Sequence, residues 1–177
     1  MPTTLPALQR KHEAHKTDGN RYLSIHLGHD TYGIAIYDVK EIIAYTPLTF
    51  LPMTEAYIKG VLNLRGHVVP VIDLSMRLGL SAIEPDKQSC IVIVDAYIES
   101  DDNKNFNTQA GTLLGLLVSS VHDVIRLETE QLEPPPPFGS HIPSHFIQNI
   151  AQVNEAFMTI LALESLLQIQ ISGGFKQ

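Results

Sequence analysis

The chain has 177 residues, 44% of them hydrophobic, enough for a buried core in one domain or two small ones. Nineteen Asp and Glu against 12 Lys and Arg give a net charge of −7, opposite in sign to the basic stripe that phosphate contacts require, so nucleic acid is not an expected partner. The first residues lack a signal-peptide core and no stretch approaches the roughly 20 apolar residues that span a bilayer, which predicts a cytoplasmic chain with no direct membrane insertion.

Residues 1–20 mix Pro, Thr, Lys and His without period, and the sequence predicts a disordered arm there. From Tyr22 the pattern alternates: Leu23, Ile25 and Leu27, then a turn at Gly28-His29-Asp30, then Tyr32, Ile34 and Ile36, a pair of antiparallel strands. Asp38 followed by Glu41 imitates a capping box and predicts a short helical turn that places Val39, Ile42 and Ile43 towards one side. Pro47 and Pro52 bracket a short extended piece.

Next come two β-branched runs, Val61–Leu64 and Val68–Ile72, joined by Arg65-Gly66, which read as a hairpin with Arg65 at an exposed tip. Pro70 lacks an N–H, which predicts an edge strand or a bulge, and Asp73 is placed to cap a short helix, Leu74–Leu78, stopped by Gly79. Polar residues Ser81–Ser89 form the best internal linker. Cys90–Ile98 and Thr112–Val118 read as neighbouring strands around a solvated loop, Glu99–Gly111. Cys90, the single cysteine, sits in an apolar run and forms no internal disulfide, in keeping with a reducing compartment. Pro134–Pro137 predict an extended strap that connects rather than packs. His145–Val153 and Phe157–Leu161 form a last strand pair around Asn154-Glu155, before a helical turn at Leu163–Leu167.

The chain echoes itself. Gly33–Ile42 lines up with Gly115–Val124, and Val71–Leu74 with Ile160–Leu163, each half giving strand, turn and short helix in the same order. Two all-β units of about 70 residues each bury too little surface to stand alone, so they are expected to share an apolar interface.

The block Tyr57-Ile58-Lys59-Gly60-Val61, Asn63-Leu64-Arg65-Gly66, Val69-Pro70 and Asp73-Leu74 resembles the signature of the CheW family of chemotaxis coupling proteins. The resemblance runs from about Tyr22 to Leu167. It implies an all-β fold of two five-stranded β-barrel subdomains packed side by side with short connecting helices, here one domain over 21–170 with approximate halves 21–84 and 85–170, and a tail over 171–177. It also implies a non-catalytic adaptor, recruited to membrane receptor arrays, that joins the cytoplasmic tip of a methyl-accepting chemoreceptor to the regulatory domain of the CheA histidine kinase. With no receiver domain after Gln177, a built-in phosphorylation switch is not expected. The same fold in a pilus or surface-motility pathway is the near alternative, and a small-molecule-binding barrel the distant one.

Candidate chemistry is sparse. His141 and His145 are four apart, but Pro143 between them removes the helix that would align them; His12 and His15 read as a chance pair in the arm, and no histidine has a companion cysteine or carboxylate at metal-ligand spacing. No Gly-x-Ser-x-Gly elbow and no phosphate-cradling glycine loop occurs, so no catalytic residue, metal or cofactor is assigned. Glu41 need be no more than a cap, and Arg65 no more than a solvated turn residue. The resemblance makes Val39, Glu41, Ile43, Asn63, Arg65 and Val124 the candidate receptor- and kinase-binding residues. Val39, Ile43 and Val124 are expected to border a groove that takes a partner helix, and Arg65 and Glu41 to lie within interaction distance.

Overall fold

The computed structural model describes residues 20–96, 112–137 and 139–169; the expected N-terminal arm, apart from Asn20, and the expected 99–111 loop and tail lie outside them. Eleven strands follow in chain order: β1 (Arg21–Leu27), β2 (Asp30–Ala35), β3 (Val39–Ala44), β4 (Ile58–Leu64), β5 (His67–Asp73), β6 (Cys90–Ala96), β7 (Thr112–Val118), β8 (Ser120–Arg126), β9 (Leu132–Glu133), β10 (Ile147–Val153) and β11 (Ala156–Leu161). Two one-turn helices, α1 (Leu74–Arg77) and α2 (Leu163–Leu166), follow β5 and β11. The architecture is thus all-β with short helices, as expected, in two sheets. One is six-stranded, β8-β1-β2-β11-β10-β9, and the other five-stranded, β3-β6-β7-β5-β4. The sixth strand is the two-residue β9, paired only through Glu133 and Leu132 to Ile150 and Ala151.

The sheets do not follow the halves 21–84 and 85–170. β1 and β2 join β8–β11, while β6 and β7 join β3–β5, so each sheet is built by both halves of the sequence. The sequence echo explains the exchange. Laying β3, β6, β7, β5 and β4 on β8, β1, β2, β11 and β10 reproduces the same strand order in both sheets, with β9 as the addition. In each, one parallel pairing sits at the matching place, β5 with β7 at Val71↔Gly115 and β2 with β11 at Gly33↔Ile160. Gly33 and Gly115 are the echoed glycines, and both are there for close approach. A Cβ on Gly33 would meet the Ile160 side chain at 2.6 Å, and one on Gly115 would meet Ile91 at 2.8 Å and Val71 at 3.0 Å.

Alternation along the strands divides the apolar residues among three clusters. Leu23, Ile25 and Ile34 of the six-stranded sheet and Val92, Val94, Leu114 and Leu116 of the five-stranded one share the central cluster, which is the expected apolar interface. Tyr22, Ala151, Met158 and Ile160 fill the other face of the first sheet, and Leu62, Val71, Ile91 and Ile93 that of the second. Each helix plugs a sheet end: Leu74, Leu78, Leu163 and Leu166 are all in the central cluster. Asp73, fully buried, caps α1 by accepting from the Met76 N–H at 3.0 Å, and its second oxygen accepts from the Ile83 N–H at 2.8 Å, pinning the linker.

Three local expectations are corrected. Glu41 does not open a helix: a single 3-10 turn, Ile36–Asp38, precedes β3, because pairing with β6 from Cys90 to Val94 satisfies this backbone better than a lone turn could. The matching segment around Val124 is likewise a strand, β8, paired to β1. Pro70 lies in an inner strand, not an edge. The β5–β7 ladder covers only Val71–Asp73, so Pro70 stands outside it, and the bulge is on the facing strand, between Ile58 and Gly60.

Candidate functional site

Arg65 and Gly66 form a two-residue hairpin loop closed by the Leu64↔His67 pair, with φ of 50° and 84°. Positive φ at both central positions matches the right-handed twist of the flanking strands, and glycine takes it without steric cost. Arginine does not, and the turn is braced: the Asn63 side-chain oxygen accepts from the Gly66 N–H at 2.9 Å. The turn aims the guanidinium at β3. Arg65 Nη1 donates to Glu41 Oε2 at 2.8 Å and Nη2 to Oε1 at 2.7 Å, a parallel fork. The hydrogen bonds and charge of Glu41 raise the Arg65 pKa above its ordinary value. The expected closeness of the two charges is therefore met, though by strand and hairpin rather than by helix and hairpin.

The fork also has an architectural consequence. β3 and β4 are the two edges of the five-stranded sheet. The segment after β3 runs back along β4, where Thr49 and Val61 exchange both backbone hydrogen bonds at 2.8 and 2.9 Å. Glu41 and Arg65 tie the same two edges together further along, so the sheet curls towards a barrel. Arg65 nevertheless keeps 74% of its side chain exposed, against 27% for Glu41.

The remaining candidates divide between faces. A bulge between Val39 and Glu41 switches the side of β3, so Val39 lies opposite Val94 and packs on the central cluster. Ile43 lies opposite Ile91 and packs with Leu62 on the far face of its sheet, which removes it from the groove expected to join it to Val39 and Val124. Ile42, not Ile43, lies opposite Val92 on the central side, and it is 41% exposed. On β8, Val124 is opposite Leu23 and 48% exposed, while Val121 packs on the central cluster. Val39 with Ile42 and Val121 with Val124 are thus matching pairs on the two matching edge strands. The sequence carried this signal, since the echo of Gly33–Ile42 on Gly115–Val124 sets Val39 on Val121 and Ile42 on Val124. What hid it was the bulge, which shifts the period of 2.

Other charged or titratable groups are dispersed. Among the described residues no cluster of three or more His, Cys, Asp or Glu is placed to hold a metal ion. His26 on β1 stacks on His122 of β8 with ring centroids 4.0 Å apart, and burial, then the His122 charge, lower its pKa. No helix among the described residues is long and apolar enough to cross a membrane.

Comparison with known proteins agrees with this geometry. The CheW-like domain family matches residues 21–170. The chain is 30% identical to the chemotaxis protein CheW of Klebsiella aerogenes over 154 residues, 87% of this chain and 85% of that one. It is 31% identical to the chemotaxis protein CheW of Rhizobium meliloti over 153 residues, covering 86% and 90%, and 29% identical to protein FrzA of Myxococcus xanthus, covering 77% and 78%. The crystal structure of the scaffolding protein TtCheW from Thermoanaerobacter tengcongensis is similar with a TM-score of 0.71 and 33% identity over 85% of this chain and 93% of that one. With its exchanged strands, its paired edge strands and its braced Asn-Leu-Arg-Gly hairpin, the chain belongs to the CheW-like domain family.

Proposed function

We propose that the chain is a non-catalytic coupling adaptor of a bacterial chemosensory array, working in the cytoplasm and recruited to membrane receptors. It binds the cytoplasmic tip of a methyl-accepting chemoreceptor and the regulatory domain of the CheA histidine kinase, and it needs no cofactor. The observation that carries this reading is the Arg65 guanidinium, held in a two-point fork by Glu41 yet largely exposed. A preset fork of this kind offers its outer N–H donors to a partner carboxylate with little left to order on binding. Val39 with Ile42 and Val121 with Val124 supply apolar anchors at the rim of the central core, the chemistry that takes the apolar stripe of a helix. Receptor conformation then reaches the kinase through contact geometry, as coupling between two binding sites.

The test is co-precipitation of the full chain with receptor-tip and kinase fragments, for wild type and for Ile42→Asp and Val124→Asp. Both exposed positions should lose receptor capture while their thermal transitions stay near wild type. Capture undiminished in both variants, or lost only with unfolding, removes the edge strands from the reading. Capture by a pilus-pathway receptor in place of a chemotaxis receptor would move the same contacts to surface motility.

A further inference from the structure

The echo that sets Val71–Leu74 on Ile160–Leu163 also sets Tyr57 on Phe146 and Arg77 on Leu166. The backbone agrees: the Tyr57 carbonyl accepts from the Asp73 N–H at 2.7 Å, and the Phe146 carbonyl from the Ala162 N–H at 2.8 Å. Each ring therefore stands where the chain enters the strand beside a one-turn helix. One guanidinium serves both rings. Arg77, at the end of α1, has its Cζ 5.1 Å from the centroid of Tyr57 and 5.0 Å from that of Phe146, both within cation–π range.

The same guanidinium closes the other helix. α1 ends in a left-handed turn at Gly79, φ 82°, where the Leu80 N–H returns to the Ser75 carbonyl at 2.9 Å. The corresponding residue after α2 is Gln168, whose Cβ makes that turn costly. Here the end carbonyls are taken from outside: Arg77 Nε donates to the Leu166 oxygen at 3.0 Å and Nη2 to the Gln168 oxygen at 3.1 Å. Arg77 follows β5 of the five-stranded sheet, whereas Phe146 precedes β10 and Leu166 and Gln168 follow β11 of the six-stranded one, so the contact crosses between the sheets. The echo supplies no second copy of it, since the position matching Arg77 is Leu166, a buried apolar residue. Nor is Arg77 in an ion pair among the described residues; its charge is spent on carbonyls and rings.

We propose that Arg77 is a positioning residue, a clasp that sets how the two sheets are turned against each other. The central cluster holds the sheets together, but burial of apolar surface is non-directional and tolerates small shear between packed faces. Hydrogen bonds to two carbonyls and a planar cation held at two rings fix direction. The consequence for binding rests on the adaptor reading. Val39 and Ile42 lie on β3 in one sheet and Val121 and Val124 on β8 in the other, so the angle between the sheets sets the separation of the two anchor pairs that one partner helix must meet. Loss of the clasp spreads the chain over several angles, and affinity falls with the fraction at the right one.

Residual dipolar couplings of the weakly aligned, isotope-labelled full chain read this angle directly. In wild type one alignment tensor should fit the amides of both sheets together. In Arg77→Ala each sheet should still fit a tensor of its own, with the two differing in orientation or magnitude. Arg77→Met separates the clasp from packing, because it keeps a long apolar stem without donors or charge: the clasp predicts the Ala result, packing alone the wild-type one. Arg77→Lys should fall between them, an ammonium keeping charge at the rings without the planar fork. Titration with the receptor-tip fragment should give Arg77→Met a Kd about fivefold above wild type. If wild type itself does not bind the fragment, the adaptor reading fails and the clasp is judged by the couplings alone. One tensor fitting Arg77→Ala and Arg77→Met as well as it fits wild type overturns the proposal. Unfolding of both variants overturns it too, since Arg77 would then hold the fold and not its angle, and an unchanged Kd despite two tensors overturns its role in capture.

Discussion

Arg65 combines a backbone conformation that arginine does not favour with a side chain fixed at two points, and these two facts pull in different directions when it is replaced. Arg65→Ala removes the fork but keeps the Asn63 brace on Gly66, so the hairpin should persist and the thermal midpoint should move little, as exposed ion pairs contribute little to folding. Assembly with receptor and kinase fragments should fall markedly. Arg65→Lys should restore it poorly, since an ammonium cannot make two parallel bonds to one carboxylate. A double-mutant cycle with Glu41→Ala, read for midpoint and for assembly, should show coupling in assembly alone; normal assembly by the Arg65 variants would make Arg65 a turn residue and nothing more. Asp73 is the opposite case. It is buried and uses both oxygens on backbone donors, so Asp73→Ala strips a cap and orphans the Ile83 N–H. We expect a loss of about 2–4 kcal/mol in denaturant unfolding. Asp73→Asn, which keeps one acceptor, should lose less.

Among the elements, the β1–β8 edge is the one whose pairing should respond to pH. His26 and His122 stack across it, with Ser120 and Thr31 as the other polar neighbours that ladder pairing places against His26. A base whose folded pKa lies below its ordinary 6.5 takes up protons more readily when unfolded. The His26 contribution is therefore intact above 6.5 and declines as the pH falls through 6.5 towards the lower folded value. The protection of β8 amides against hydrogen exchange, corrected for the intrinsic rate, should fall between pH 7.5 and 5.5 relative to that of β6 amides, and His122→Gln should reduce that difference. An equal change in the protection of β6 and β8 in wild type would show that the stack has no local role. The corresponding edge, β3, has no such pair; it is tied by Glu41 to Arg65 and by Lys40 to Asp95 at 2.8 Å.

For the whole molecule, the exchange of strands between halves governs folding. Fragments 21–84 and 85–170 each contain strands of both sheets, so each would leave its sheets incomplete and half of the central cluster uncovered. Each alone should give a disordered far-ultraviolet circular dichroism spectrum, and their equimolar mixture should recover β-structure with a cooperative transition. Independent folding of either fragment would mean that the halves are domains after all. The exchange also means that Gly33 and Gly115, far apart in sequence, do the same work at the two parallel pairings, where the chains pass closer than a Cβ allows.

Period-2 alternation, turn glycines and the Asp73 cap are local signals, and they suffice to place β1, β2, the β4–β5 hairpin, β6, β7 and the β10–β11 pair from the amino-acid sequence by itself. The ordered signature at Tyr57–Leu74 suffices for the family, and the internal echo for the presence of two matching units. Local signals fail where long-range pairing outweighs them. The Asp38–Glu41 box reads as a helix start, but a single turn closes few hydrogen bonds while β6 offers a full ladder, so Val39–Ala44 is a strand. The bulge in β3, which decides that Ile42 and not Ile43 lies on the central side, arises from pairing with a strand about 50 residues away and leaves no mark in the local pattern. Nor does the sequence say that the halves trade strands, because either arrangement satisfies the same alternation. Only the tertiary structure decides which sheet each strand joins, since that choice rests on how the two apolar faces bury one another.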